Sequence, residues 1–350
     1  MSQLDKVRDY YGKVLKTKND LKTTACCSVE SMPAHLIALT KNIDAEIQDK
    51  FYGCGAPFPS ELKGLTVLDL GCGTGRDVYL LSQLVGETGK VIGIDMTDEQ
   101  LEVANRHVDS QMKKFGYTQS NVQFVKGYIE DLESAGIANE SVDLVVSNCV
   151  INLSPEKERV FREIFRVLKP GGELYFSDVY CDRRLPQACR EDQTLLGECL
   201  GGALYTEDFR RLLFEVGCKD SRQMYASEIS ITDSEISKKV NGARFYSITM
   251  RAFKLPLEDR CEDYGQVAYY KGTLDNNSTY FALDDHHLFE KGKPMLVCSN
   301  TAMMLADTRF KNHFRIEGDL STHYGLFDCG PSPVAGNSAA EVCAPGGGCC

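Results

Sequence analysis

A chain of 350 residues, 43% of them apolar, is longer than one hydrophobic core usually supports, so two or more domains are expected. A formal net charge of −11 lacks the basic footprint that binds nucleic-acid backbones, and no run of about 18 apolar residues is present to cross a membrane, so neither partner is expected. The opening MSQLDKVRDYYGKVLK has no apolar stretch of signal-peptide length, and 15 cysteines, an odd number in so long a chain, read as reduced thiols of a cytoplasmic protein.

Val7, Tyr10, Tyr11, Val14 and Leu15 recur at helical spacing, and Ala45, Ile47, Lys50 and Phe51 do so less regularly before Gly53-Cys54-Gly55 breaks the pattern; residues 1–59 read as a helical lead-in. Strands and helices then alternate: Thr66–Leu70, a helix from Gly75, Lys90–Asp95, a helix from Asp98, Val122–Lys126, Val142–Ser147, a helix from Pro155, and Glu173–Val179. That alternation predicts an α/β core with a parallel sheet. Thr97 with Gln100 reads as a capping box, and Ser154 before Pro155 as an N-cap followed by the first helical residue. Lys169-Pro170-Gly171-Gly172 signals a turn ahead of the fifth strand. A helix around Phe209–Glu215 and strands at Glu228–Ile231 and Phe245–Phe253 complete a core spanning 60–255, closed by Leu255-Pro256. Residues 256–330 form a smaller C-terminal domain of mixed order, with short strands at Ala268–Tyr270 and Tyr280–Leu283. Residues 331–350 end in PGGGCC and lack the apolar mass needed to offset ordering entropy, so a flexible cysteine-containing tail is expected.

The chemistry concentrates at VLDLGCGTGRD. Asp69, Gly71, Gly73 and Gly75 follow an apolar strand, and Asp95 closes the next strand, where a carboxylate can accept hydrogen bonds from both hydroxyls of a ribose. The glycines read G-x-G-x-G, and Arg76 occupies the place after them, so the dinucleotide spacing fails and a nucleoside without a pyrophosphate is implied. Ligands of open α/β sheets bind beyond the carboxyl ends of the strands. Cys149 stands directly after the fourth strand, DLVVSN, and should face that ligand. Cys199 in GECLGGALY and Cys54 in YGCG lie in segments that could reach the same edge. No C-x-x-C pair offers a zinc knuckle, and any one cysteine is by default a small apolar core residue, so position alone promotes these three. His286 and His287 read as polar surface.

DLGCGTG resembles the first motif of S-adenosylmethionine-dependent methyltransferases with a Rossmann-like class I core. The segments YYGKVLK, FYGCGAPFP, VLDLGCGTGRD, GIDMT, NVQF with GYIE, VVSNCVINLSP, LKPGGELYFSDVY and GECLGGALY, in this order from Tyr10 to Phe253, resemble the arsenite methyltransferase family. The resemblance implies S-adenosylmethionine as cofactor, with Asp69, Gly71, Gly73 and Gly75 around its methionine end and Asp95 on the ribose. Met96, Ile129 and Glu130 would flank the adenine, Asn148 and Arg76 would sit near the methionine portion, and Tyr52 near the sulfonium. It places trivalent arsenic on Cys149 and Cys199 with Cys54, and a disulfide relay on Cys54 and Cys26, beside Cys27. It further implies arsenite or its thiol conjugates as substrate, mono- and dimethylated arsenicals as products, thioredoxin or glutathione as reductant, and a monomer. Two other readings use the same residues differently: a methyltransferase for a carbon, nitrogen or oxygen nucleophile, with a side-chain base, and a noncatalytic soft-metal thiol protein.

Overall fold

The computed structural model describes Leu4 and residues 32–50 and 57–329. The helix expected near Val7–Leu15, the residues Cys26, Cys27, Tyr52 and Cys54, and the tail beyond Cys329 lie outside the described residues.

Among the described residues, two short helices precede the core, α1 (Ala34–Thr40) and α2 (Ala45–Asp49); Asp44 caps α2 by accepting from the Glu46 N–H. The core strands are β1 (Thr66–Leu70), β2 (Lys90–Asp95), β3 (Val122–Lys126), β4 (Val142–Asn148) and β5 (Leu168–Cys181). They are followed by β6 (Leu204–Tyr205), β7 (Ser221–Ile229) and β8 (Phe245–Phe253). The sheet order is β3-β2-β1-β4-β5-β8-β7, with β6 beside the end of β5. The pairs from β3 to β5 are parallel, as the alternation of elements requires, and β8 joins antiparallel to both β5 and β7. Strands β1 and β4 are buried almost throughout, so they read as continuous apolar runs rather than alternating ones.

The intervening helices are α3 (Arg76–Val85), α4 (Asp98–Arg106), α5 (Val108–Phe115) and α6 (Lys157–Val167). Three sequence expectations are corrected here. The Thr97 hydroxyl makes no cap; its backbone N–H is instead held by Asp95, so the carboxylate at the end of β2 organises the start of α4. The helix expected from Pro155 begins at Lys157, because the Ser154 hydroxyl is shared between the Glu156 N–H and the Glu130 carboxylate. Lys169-Pro170-Gly171-Gly172 does not end a strand: it runs inside β5 as a bulge opposite Val142 and Leu144, which Gly171 makes possible at φ +75°. Beyond β5 lie α7 (Gln187–Glu191), α8 (Gln193–Gly197), α9 (Thr206–Glu215) and α10 (Ser234–Val240). The strand expected over Glu228–Ile231 is the end of β7.

The C-terminal part carries β9 (Glu262–Asp263), β10 (Gln266–Tyr270), β11 (Tyr280–Ala282), β12 (Leu288–Glu290), β13 (Pro294–Val297), α11 (Ser299–Ala306), β14 (Phe314–Glu317) and β15 (Gly325–Leu326). β10 is central to an antiparallel sheet with β13 and β14, β11 pairs β12, and β15 returns to β9. Phe281, Phe289, Phe310 and Phe314 pack edge-on or tilted in a core of their own that also takes in Phe253 and Leu257. A buried ion cluster pins this part to the main sheet. Glu173 on β5, fully buried, accepts from Arg251 on β8 at 2.7 Å and is paired with Arg309 at 2.5 Å; Arg251 also donates to the Leu283 carbonyl. Among the described residues no helix is long and apolar enough to cross a membrane.

Candidate functional site

The glycine turn after β1 runs through left-handed backbone, with Gly71 at φ +69° and Gly75 at φ +87°. A Cβ on Gly71 would lie 2.5 Å from Val150 Cγ2, and one on Gly75 2.8 Å from Phe124 Cε1, so both steric room and conformation select glycine. The Gly73 N–H donates to Asp95 Oδ2 at 2.9 Å and the Thr97 N–H to Oδ1 at 2.8 Å, which fixes both carboxylate oxygens at the carboxyl end of β2.

Above this turn opens a cleft at the carboxyl ends of the first strands. Of the residues singled out in the sequence, Asp69, Gly71, Gly73, Asp95 and Met96 line it from the first two strands. Ile129, Glu130, Asn148 and Cys149 line it from the segments after β3 and β4. Gly75 and Arg76 are not in the lining: Gly75 is the N-cap of α3, and Arg76 turns to Asp77, with Nε 2.7 Å from Oδ1. Asp77 itself faces the cleft and accepts from Asn148 Nδ2 at 3.1 Å. Thr74, Asp77, Gln100 and Ser154 are lining residues that sequence reasoning missed. Asp77 carries no local signal beyond being an acid in a first helical turn.

Burial, with Asp77 and Asp95 nearby and Arg76 opposing, pushes the Asp69 carboxyl well above its ordinary value. Burial also raises Asp95, against the backbone N–H groups that hold it. A cleft with crowded carboxylates at one end is matched by a ligand carrying a positive charge there. The glycine cradle and the Asp95 carboxylate fit the nucleoside half of the same ligand.

Cys149 follows β4 and Cys199 follows α8, and the two are adjacent: the Cys199 thiol donates to the Cys149 carbonyl at 3.5 Å, and both residues are buried. Each is a non-glycine residue in the left-handed region, at φ +61° and φ +60°. Such backbone costs on the order of 1–3 kcal/mol per residue and persists where surrounding structure imposes it. The surroundings are visible. The Cys149 N–H donates to the Ser177 carbonyl at 2.9 Å; the N–H groups of Leu200 and Gly201 both reach the Leu195 carbonyl; and Gly202 lies so close to the Asn152 carbonyl that no side chain fits.

Buried Asp178 accepts from the N–H groups of Asn152 and Val179, holding the short turn Ile151–Leu153 after Cys149, and burial pushes its carboxyl up to about 7. Lys157 braces the same turn through the carbonyls of Asn152 and Ser154, and burial pulls its amine down to about 8. Cys149 is disulfide-bonded, while the eight other described cysteines are free thiols, so its partner is not among the described residues.

One further reading is corrected: His287 is not polar surface. It is 8% exposed, with Nδ1 2.8 Å from the Asp284 carboxylate, which also pairs with Arg222 at 2.9 Å.

Comparison with known proteins matches two family models, a methyltransferase domain over residues 61–217 and an arsenite methyltransferase C-terminal domain over residues 263–330. An arsenite methyltransferase of Aquipseudomonas alcaligenes is 52% identical over 348 residues, covering 99% of both chains. The human arsenite methyltransferase is 44% identical over 314 residues, 89% of this chain and 82% of its own. Among solved structures, an arsenic(III) S-adenosylmethionine methyltransferase from Chlamydomonas reinhardtii superimposes with a TM-score of 0.83 at 54% identity, over 85% of this chain and all of the other.

Proposed function

The chain belongs to the arsenite methyltransferase family, enzymes that use S-adenosylmethionine, and from that premise we propose that it methylates trivalent arsenic held by the thiolates of Cys149 and Cys199. The observation that carries this reading is the pair of buried, left-handed cysteines in contact with each other, with Cys149 in the cleft lining. Two cysteine sulfurs imposed on strained backbone beside a cofactor cleft favour a soft electrophile as ligand over core filling.

Thiolates suit trivalent arsenic, and sulfur ligation leaves arsenic pyramidal, with its lone pair directed away from the sulfurs. S-adenosylmethionine supplies the electrophilic methyl of its sulfonium. Because the lone pair is the nucleophile, no side-chain base is required, and the work of Cys149 and Cys199 is to aim it at the cleft; positioning of this kind contributes on the order of 7–11 kcal/mol. Asp95 anchors the ribose hydroxyls, Met96 and Ile129 flank the adenine with Glu130 accepting from its amino group, and Asp69, with Asn148 nearby, meets the methionine ammonium. Arg76 reaches the methionine carboxylate only if it leaves Asp77.

Transfer takes arsenic to the pentavalent state, so a second transfer needs two electrons, and two thiols closing a disulfide supply them. Cys26 and Cys54 are assigned that relay, with Cys54 also the third arsenic ligand and Tyr52 beside the sulfonium. Thioredoxin or glutathione reopens the disulfide by thiol exchange, and mono- and dimethylated arsenicals leave. The reading includes a monomeric, cytoplasmic enzyme with its methyl-transfer core at 60–255, a C-terminal domain at 256–330 and a tail beyond.

The test incubates purified protein with arsenite, methyl-labelled S-adenosylmethionine and a thiol reductant. Label on arsenic is expected; arsenite bound with no label transferred would turn the reading to sequestration. The cofactor assignment is checked separately by titration calorimetry. Asp95→Ala is expected to weaken S-adenosylmethionine by about tenfold to a hundredfold, as loss of hydrogen bonds to a charged group costs about 1.5–3 kcal/mol, while arsenite binding is retained. Undiminished cofactor affinity would remove Asp95 from the ribose.

A further inference from the structure

A second convergence of thiols lies outside the cofactor cleft. Cys261 precedes β9, Cys298 is the N-cap of α11 and Cys329 follows β15, yet their three sulfurs lie within 4.8 Å of one another. The return of β15 onto β9, together with the Phe327 N–H donating to the Cys261 carbonyl, brings the last cysteine back to the first. Cys261 and Cys329 are partly exposed and line an open cleft, whereas Cys298 is buried beneath them, so a small solute reaches the sulfurs from one side.

The group is built to favour thiolate. Cys298 Sγ accepts from the Thr301 N–H at 3.5 Å, lies 3.3 Å from the Thr301 hydroxyl, and receives Arg222 Nη2 at 3.9 Å. Arg222 is itself clamped, bidentate on Asp220 at 2.7 Å and paired with Asp284 at 2.9 Å. Three sulfurs are too few for a closed tetrahedral zinc site, and a fixed guanidinium beside them opposes a divalent cation. A trivalent arsenical meets neither objection. Arsenous acid exchanges its three hydroxyls for three sulfurs: three As–O bonds break, three As–S bonds form, each thiol proton leaves with a hydroxyl as water, and nothing is oxidised or reduced. The product is uncharged and three-coordinate.

We propose that Cys261, Cys298 and Cys329 form a second arsenic site that binds unmethylated trivalent arsenic through three sulfurs. Each methyl on arsenic removes one exchangeable position, so a three-thiol site binds arsenite in preference to the methylated products and separates incoming substrate from what the cofactor cleft releases. The proposal rests on the reading of arsenic as substrate, but its test does not depend on methyl transfer.

A full-length parent variant carrying Cys26→Ser, Cys27→Ser, Cys54→Ser, Cys149→Ser and Cys199→Ser, reduced with a phosphine, is loaded with arsenite, desalted and assayed for bound arsenic, with X-ray absorption giving the sulfur count. One equivalent on three sulfurs is expected. Adding Cys298→Ser, which keeps an N-cap oxygen on α11, is expected to weaken that binding by at least about a hundredfold, since even outer-shell partners of a bound metal are worth 10–100-fold. A matching loss in Cys261→Ser guards against a folding artefact. No arsenic on three sulfurs in the parent variant, a three-sulfur signature that persists after Cys298→Ser, or zinc held in preference to arsenite would each overturn the site. Cys298-dependent binding in a protein that transfers no methyl to arsenic would uphold the site while defeating the proposed function.

Discussion

Cys149→Ser is expected to lower arsenic methylation by roughly a thousandfold or more, with S-adenosylmethionine affinity unchanged, in a labelled-methyl assay paired with cofactor titration. A serine oxygen is a poor partner for soft arsenic, so the variant forfeits about 4 kcal/mol or more of the 7–11 kcal/mol that placing the lone pair can contribute. The geometry allows a clean comparison. Cys149 lines the cleft from the end of β4, while Asp95, the proposed ribose anchor, is held at the end of β2 by the backbone of Gly73 and Thr97. Cys199→Ser should behave alike, because its sulfur approaches the Cys149 carbonyl and the proposed function assigns both sulfurs to one arsenic ligand set. A fall of less than about tenfold in both variants would mean that arsenic is aimed by other groups.

Glu173→Gln is expected to destabilise the protein by about 3–5 kcal/mol, read as a lowered urea midpoint, because a neutral amide leaves two guanidinium groups without their shared counter-charge. Arg251 is fully buried and stacked among Tyr175, Phe253 and Phe310, with its Cζ 5.2–5.5 Å from their ring centres. Arg309 reaches the same carboxylate and also donates to the Ser60 carbonyl, so the cluster ties β5, β8, the segment before β1 and the C-terminal part into one knot. A change under about 1 kcal/mol would show that water or rearrangement compensates the arginines.

What the sequence made legible follows from distance along the chain. Strands β1 to β4 and the cofactor turn are specified within about ten residues, by an apolar β-branched run, a glycine turn and an acid at the next strand end, and the structure places them so. Where two local signals compete for one group, local reading failed. Thr97 lost its capping role because Asp95 takes its hydroxyl as well as its N–H, and the helix after Ser154 starts late because Glu130 holds the hydroxyl. The C-terminal part was illegible for a different reason: β10 pairs with β13 and β14, strands of four residues each, so no single segment carries a recognisable period. The trio Cys261, Cys298 and Cys329 has no motif spacing at all, and only the closing of β15 on β9 creates it. His287 was misread because its environment depends on Arg222, far back on β7.

The left-handed backbone at Cys149 and Cys199 sets thermal robustness against chemistry at two positions. Glycine at either would relieve roughly 1–2 kcal/mol of steric conflict between Cβ and the following carbonyl. A laboratory selection for heat resistance alone would thus have a backbone incentive to discard both thiols, and improved survivors from such a library should be genotyped at these two codons before any are taken as better enzymes.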